Sequence, residues 1–111
     1  MEPLTKEQVA SIIEATPFFK EKEQELFRLI GKGDKKAEQD LIKANAFLIK
    51  NIANHYLENE CNLNLEKLIE IGKTGLQKAI KKYNPQKDYK FSAYASWWIR
   101  HEIHEVLGIK D

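Results

Sequence analysis

Apolar residues recur along this chain at the three- and four-residue spacing of helices, and no stretch alternates in the way that a strand requires. The pattern predicts about five helices. The first begins with a capping box formed by Thr5 and Gln8, and Leu4 is placed to pack on Val9.

Two helices follow in the first half of the chain. Pro17 ends the first helix and starts the second, which Thr16 caps. The second helix runs to Ile30, where a glycine-containing turn ends it. Asp34 then caps the longest predicted helix, over residues 35–57. Its larger apolar residues lie at helical spacing: Leu41, Phe47, Leu48, Ile52 and Tyr56.

The second half contains two more predicted helices. A polar break over residues 58–64 precedes a helix over 65–83, in which Gly72 and Gly75 are expected to permit close helix packing. Ser92 is the expected cap of the last helix, which ends near residue 107. The predicted fold is therefore an all-α helical bundle. Residues 17–111 form its main domain, and residues 1–16 form an N-terminal helix of unassigned role.

The last helix carries two different faces when successive residues are placed 100° apart. The predicted buried stripe consists of Ala95, Ile99, Ile103 and Val106. A second group lies roughly opposite, with Trp98 at its border: Tyr94, Trp97, His101 and His104. Aromatic residues on helices usually belong to the core, but here one narrow stripe already accounts for burial. Aromatic rings on the far side indicate a surface that binds something flat.

Composition and charge limit the cellular compartment and the classes of molecule that this chain is expected to bind. The chain has 111 residues, 42% hydrophobic and 32% charged, with a formal net charge of +1. Its single cysteine, Cys61, excludes an internal disulfide, and no apolar run is long enough for a membrane span or a signal peptide, so a cytoplasmic protein is expected. The loop before the last helix is rich in lysine. Lysines beside exposed aromatic rings are typical of surfaces that bind unpaired nucleic acid, although a protein partner would fit the same rings.

Four segments resemble region 2 of the bacterial sigma-70 family. The run from Tyr89 to Arg100 reads YKFSAYASWWIR and is similar to the family signature YKFSTYATWWIR. Residues 41–49 resemble its LIEANLRLV segment, residues 72–79 its GNIGLMKA, and the turn at Gly33-Asp34 its EGDEEAR. The resemblance covers about residues 17–107 and implies a helical bundle held on core RNA polymerase.

The resemblance also implies roles for single residues at the promoter −10 element. Tyr94 and Trp97 match the aromatic platform that catches a flipped base of the non-template strand, and Trp98 braces it. Tyr83, Tyr89 and Lys90 match positions along the single-strand path. Arg100 matches an arginine near the DNA backbone, and His101 and His104 match positions that meet duplex DNA.

The sequence departs from the family at both expected interfaces. His101, His104 and Glu105 stand where the family has Gln, Thr and Arg, which predicts weaker or altered duplex recognition because an acid near phosphate is repulsive. The polymerase-binding surface is expected at Lys67, Glu70, Ile71 and Lys73. There the family's Asp, Glu and Asn are replaced by Lys67, Ile71 and Lys73, so acidic contacts are lost or inverted.

Two functions remain open at this point. The first is a sigma factor domain that binds core RNA polymerase and melts the −10 element. The second is a sigma-like mimic or adaptor that binds a regulatory protein, such as an anti-sigma factor. No −35-reading domain follows residue 107, so a fragment, or a domain whose partner reads the −35 element, is expected. Three other readings are less favoured: a general single-strand binder, an enzyme, and a metal site at His101, His104 and Glu105. No cofactor is expected.

Overall fold

The computed structural model describes residues 5–15, 20–58, 62–87 and 90–109. Within these ranges every regular element is an α-helix, which confirms the all-α prediction. The helices are α1 (Lys6–Ala15), α2 (Lys20–Gly31), α3 (Lys35–Ala44), α4 (Ala46–Glu58), α5 (Leu65–Lys82) and α6 (Phe91–Leu107). No helix in the described ranges is both long and apolar enough to cross a bilayer.

A break at Asn45 divides the long helix that the sequence predicts over residues 35–57, so the helix count rises from about five to six. The Asn45 side chain is buried, and its Nδ2 donates to the Leu41 carbonyl at 2.9 Å. The Asn45 backbone N–H is shared between the carbonyls of Leu41 and Ile42. Asparagine side chains compete in this way with the helical hydrogen-bond ladder, and the regular helix is interrupted at this residue. The apolar spacing resumes at once in α4, which is why periodicity did not reveal the break.

Two of the predicted local caps, the capping box at Thr5 and the cap at Asp34, are confirmed. Thr5 and Gln8 exchange the two hydrogen bonds of a capping box, and Asp34 accepts from the backbone N–H of Ala37 at 3.1 Å. Asn64 caps α5 in the same manner. The predictions at Leu4, Thr16 and Pro17 lie outside the described residues.

The predicted cap at Ser92 is wrong. The cap position lies two residues earlier, at Lys90, which makes no side-chain capping bond, and helix α6 begins at Phe91. Ser92 instead lies buried in the first turn. Phe91 is fully buried as well, so the first turn of α6 packs against the core and Ser92 is not at an exposed cap position.

Helices α5 and α6 pack against each other at the centre of the bundle, and α4 packs on both. Their approach depends on Gly75: a Cβ there would lie 2.6 Å from the Trp98 carbonyl oxygen and 2.8 Å from the Ile99 Cα. At Gly72 a Cβ would meet the Ile49 side chain at 2.7 Å. The prediction that these glycines permit close packing is confirmed. Val9 and Ile12 of α1 also pack on this core.

Candidate nucleic-acid interface

The first half of α6 presents an aromatic surface to solvent. The Trp97 side chain is 47% exposed and is among the most exposed large hydrophobic residues of the described chain. Tyr94, one turn earlier, is half-buried. The two rings are therefore not both enclosed by the core, and Trp97 is available to a partner.

The indole of Trp97 belongs to a cluster of three rings, Trp97, Trp98 and His101, which we call the α6 ring cluster. The His101 imidazole stacks on Trp97 with a centroid distance of 4.9 Å and an interplanar angle of 7°. Trp98 stands edge-on to both, at 5.2 Å from Trp97 and 6.0 Å from His101. Offset or edge-on contacts of this kind stabilise aromatic pairs. His101 thus covers one face of Trp97 and restrains its ring.

Tyr94 is anchored by a second set of rings that reaches into the core. Its ring lies 5.8 Å from that of Tyr83, which follows α5 directly. Tyr83 in turn contacts the buried rings of Phe27 and Phe91, each at 5.1 Å. Tyr83 therefore packs between Tyr94 and the buried aromatic rings, and these contacts restrain the Tyr94 ring.

Basic groups surround these rings. Lys82 Nζ lies over the Trp98 ring at 5.7 Å from its centroid, and Lys90 is exposed at the start of α6. Arg100 is half-buried, and its Nε donates to the Ser96 carbonyl at 3.2 Å. Tyr89 lies outside the described residues. The described part of the site therefore combines an exposed indole with nearby basic side chains.

His104 does not lie on this surface, and the expectation that it faces DNA is wrong. Its side chain is 3% exposed, and its Nε2 lies 2.5 Å from the hydroxyl of Tyr56, which is fully buried in α4. His104 is seven residues after Trp97, or ~10 Å along the helix. The face that is open at Trp97 is covered by α4 at His104. Nothing in the sequence indicates this contact, because the two residues are 48 positions apart.

The predicted buried stripe of α6 is wrong at Val106. It was expected in the buried stripe, but it is 54% exposed, whereas Ala95, Ile99 and Ile103 are fully buried as predicted. The bundle does not extend far enough to cover the last turn of α6 on that side.

The expected polymerase-binding residues divide into exposed and buried positions. Lys67 and Glu70 are exposed and lie 3.8 Å apart, and Lys73 is exposed one turn later. The expectation that Ile71 lies on the partner-binding surface is wrong, because it is only 8% exposed and belongs to the core. The sequence contained a pattern that indicates this burial. The i, i+3, i+4, i+7 spacing of a buried helix face is followed by Leu68, Ile71, Gly72 and Gly75.

The histidines of α6 do not converge. His101 Nε2 lies 3.7 Å from Glu105 Oε1, whereas His104 faces Tyr56. Among the described residues, no three or more His, Cys, Asp or Glu side chains are grouped where they would hold a metal ion.

Comparison with known proteins gives consistent results. A family profile described as Sigma-70 region 2 matches residues 41–107. The chain is 39% identical over 92 residues to the RNA polymerase sigma factor RpoS of Coxiella burnetii, covering 82% of this chain and 26% of that protein. It is 40% identical over 86 residues to RNA polymerase sigma factor SigA of a Bacillus species, an alignment that covers 78% of this chain and 22% of that protein. It is 36% identical over 110 residues to the RNA polymerase sigma-B factor of a Nostoc species, an alignment that covers 93% of this chain and 32% of that protein. The chain thus spans between a fifth and a third of the length of these curated relatives.

Proposed function

Because this chain belongs to the sigma-70 family, in which it corresponds to region 2, we propose that it binds core RNA polymerase and opens promoter DNA at the −10 element. It would act in the cytoplasm, where transcription takes place, and as a binding domain without catalysis. The observation that carries the proposal is the exposed indole of Trp97 on a rigid support beside basic residues. The relatives, which are RNA polymerase sigma factors by name, support the choice of partner.

The energetics of base capture suit this surface. Unstacking and flipping one base costs a few kcal/mol, and stacking a base on an aromatic side chain returns about 1–3 kcal/mol. Trp97 is the exposed ring, and the half-buried Tyr94 lies one turn away. Their restraint by His101 and Tyr83 lowers the entropy lost on binding, because the rings are already ordered. Lys82 and Lys90 supply attraction to the DNA backbone.

Removal of the Trp97 ring tests this proposal. Trp97→Ala should weaken binding of the polymerase-bound chain to a forked −10 oligonucleotide by about tenfold or more, since stacking of ~1–3 kcal/mol is lost. Phe47→Ala is the matched control, because Phe47 is similarly exposed (46%) but lies on α4. Fluorescence anisotropy would measure both. Equal losses in the two variants would contradict a role for Trp97 in base capture.

His101 should influence the same reaction indirectly, by restraining Trp97. We expect His101→Ala to weaken fork binding about threefold, since one stacked aromatic contact is worth ~0.5–1.5 kcal/mol. His101→Phe should retain most of the affinity because a flat ring is restored. If His101 instead reads a base by hydrogen bonding, His101→Phe will be as defective as His101→Ala on the same oligonucleotide.

A second function, a sigma-like adaptor that binds a regulatory protein, is favoured by one specific feature. Lys67 and Lys73 are both exposed where the family has Asp and Asn, so the charge of this surface is altered. A pull-down with purified core RNA polymerase separates the two functions. Retention of polymerase supports promoter opening. Failure to retain polymerase, together with capture of an anti-sigma factor or another regulator, supports the adaptor.

A further inference from the structure

One titratable side chain lies in direct contact with the exposed indole of Trp97. The His101 imidazole stacks on that ring at 4.9 Å, and its side chain is 28% exposed, so protons reach it from water. Histidine is the side chain that ordinarily changes its charge between about pH 5 and pH 8. The other two histidines of the chain pack against Tyr56, His55 edge-on at 5.2 Å and His104 through a hydrogen bond. A change of charge at the α6 ring cluster in this pH range is therefore a change at His101.

An acid on the same helix shares the environment of His101. Glu105 lies one turn later, its Oε1 is 3.7 Å from His101 Nε2, and its side chain is 68% exposed. The basic groups that α5 presents to this part of α6 have other contacts. Lys78 is ion-paired with Glu102, and Lys82 lies over a tryptophan ring of the cluster. In these contacts the charge that faces the imidazole is therefore the carboxylate of Glu105.

The other helices that pack on α6 place their titratable groups elsewhere. On α4, Tyr56 is hydrogen-bonded to the buried His104, and His55 stands edge-on to Tyr56. On α1, the charged residues Lys6 and Glu7 are exposed. The charge of the imidazole therefore acts first on the stacked indole and on the neighbouring carboxylate.

Protonation alters the electrostatics of the proposed DNA surface in two ways. With a neutral imidazole, His101 and Glu105 together carry a net negative charge beside the exposed indole, and a carboxylate there repels the DNA backbone. A proton on His101 cancels that charge. It also places a cation over the face of Trp97, where the ring quadrupole attracts it and holds the indole more firmly. Both effects favour DNA when the imidazole is protonated, which is on the acidic side.

We propose that His101 makes binding of the −10 fork dependent on pH, so that the chain binds more tightly as the pH falls from about 8 to about 5.5. The proposal rests on the proposed function of α6 and adds its regulation. Trp97 supplies the stacking surface, and the combined charge of His101 and Glu105 sets how well that surface accepts phosphate. DNA phosphodiesters keep their charge over this range, so the change lies on the protein.

The test compares the polymerase-bound chain with its His101→Phe variant on a forked −10 oligonucleotide at about pH 8 and about pH 5.5. Phenylalanine keeps a flat ring against Trp97 but cannot gain a proton. Acidification should tighten binding by the unmodified chain at least about threefold more than binding by the variant, and should steepen its salt dependence by roughly one released counterion. The polymerase titrates equally in both complexes, so its contribution cancels. Fork binding with an equal pH response in the two chains would overturn the proposal and leave the proposed function standing.

A second pair of variants tests the carboxylate. Glu105→Gln should strengthen fork binding about twofold or more at about pH 8, because it removes the negative charge without a proton. Glu66→Gln is the matched control and should leave the affinity unchanged. Glu66 is also exposed, but it lies at the start of α5, ~18 Å along that helix from Lys78. Equal effects of the two substitutions would show that only net charge matters and would overturn the role of Glu105.

A measurement without DNA separates this proposal from the proposed function. Both tryptophans of the chain belong to the α6 ring cluster, and a protonated imidazole quenches indole fluorescence by accepting an electron. Tryptophan fluorescence of the free chain should fall on acidification over the same range; His101→Phe should abolish the fall, and His55→Gln should retain it. A fluorescence titration that His101→Phe does not alter would overturn the proposal. If the titration is present but the polymerase-bound chain binds the fork at neither pH, the proposed function fails and the proposal fails with it.

Discussion

Replacement of Gly75 by valine should lower the free energy of unfolding by about 3 kcal/mol or more. A Cβ at this position would lie 2.6 Å from the Trp98 carbonyl oxygen and 2.8 Å from the Ile99 Cα. Both are backbone atoms, so no side-chain rotation relieves the overlap, and α5 and α6 must separate. For a domain of this size such a loss is a large fraction of a total stability of ~5–15 kcal/mol. Urea unfolding followed by circular dichroism would measure it.

Two other glycines provide controls for this prediction. Gly31→Val should change stability by less than ~1 kcal/mol, because a Cβ at Gly31 meets no atom within 4 Å. Gly72→Val should be intermediate, since the nearest atom there belongs to the Ile49 side chain, which has some freedom to move. A Gly75→Val variant as stable as Gly31→Val would show that α5 and α6 are not packed as described.

Removal of the His104 side chain should cost about 2–4 kcal/mol of stability, because the change leaves a cavity and takes away the hydrogen-bond partner of the buried Tyr56 hydroxyl. Thermal or urea unfolding of His104→Ala would measure the loss. His101→Ala is the matched control and should cost less than ~1.5 kcal/mol, since the half-buried His101 ring contributes mainly stacking.

A double-mutant cycle isolates the contact between Tyr56 and His104. Tyr56→Phe and His104→Ala should be non-additive by about 1 kcal/mol, because each removes the same hydrogen bond. Additive losses would mean that the two side chains do not interact. Under conditions where His104→Ala is folded, its forked-DNA affinity should match that of the unmodified chain. A specific loss of DNA affinity would instead return His104 to the DNA interface.

These two residues illustrate different limits of inference from sequence. The close packing at Gly75 was predictable, because two glycines in an otherwise apolar helix face indicate a near neighbour. The identity of that neighbour, the backbone of Trp98 and Ile99, was not. The role of His104 was not predictable at all, since a helical wheel places it beside Trp97 and says nothing about which helix covers each turn.

Features that depend on near neighbours along the chain could be predicted from residue type and spacing. The capping bonds of Thr5 and Asp34 span only three residues, so residue type and spacing were sufficient to predict them. The run YKFSAYASWWIR likewise identified the family without coordinates.

The packing of the helices sets which side chains meet across the bundle, and no sequence pattern predicted those contacts. It divided the long helix at Asn45, buried Ile71 and His104, and exposed Val106. Burial depends on what lies opposite a residue, and the opposing residues here are up to 48 positions away in the chain. A pattern within one helix gives the direction of each side chain, and packing between helices decides whether that direction leads to solvent or to the core.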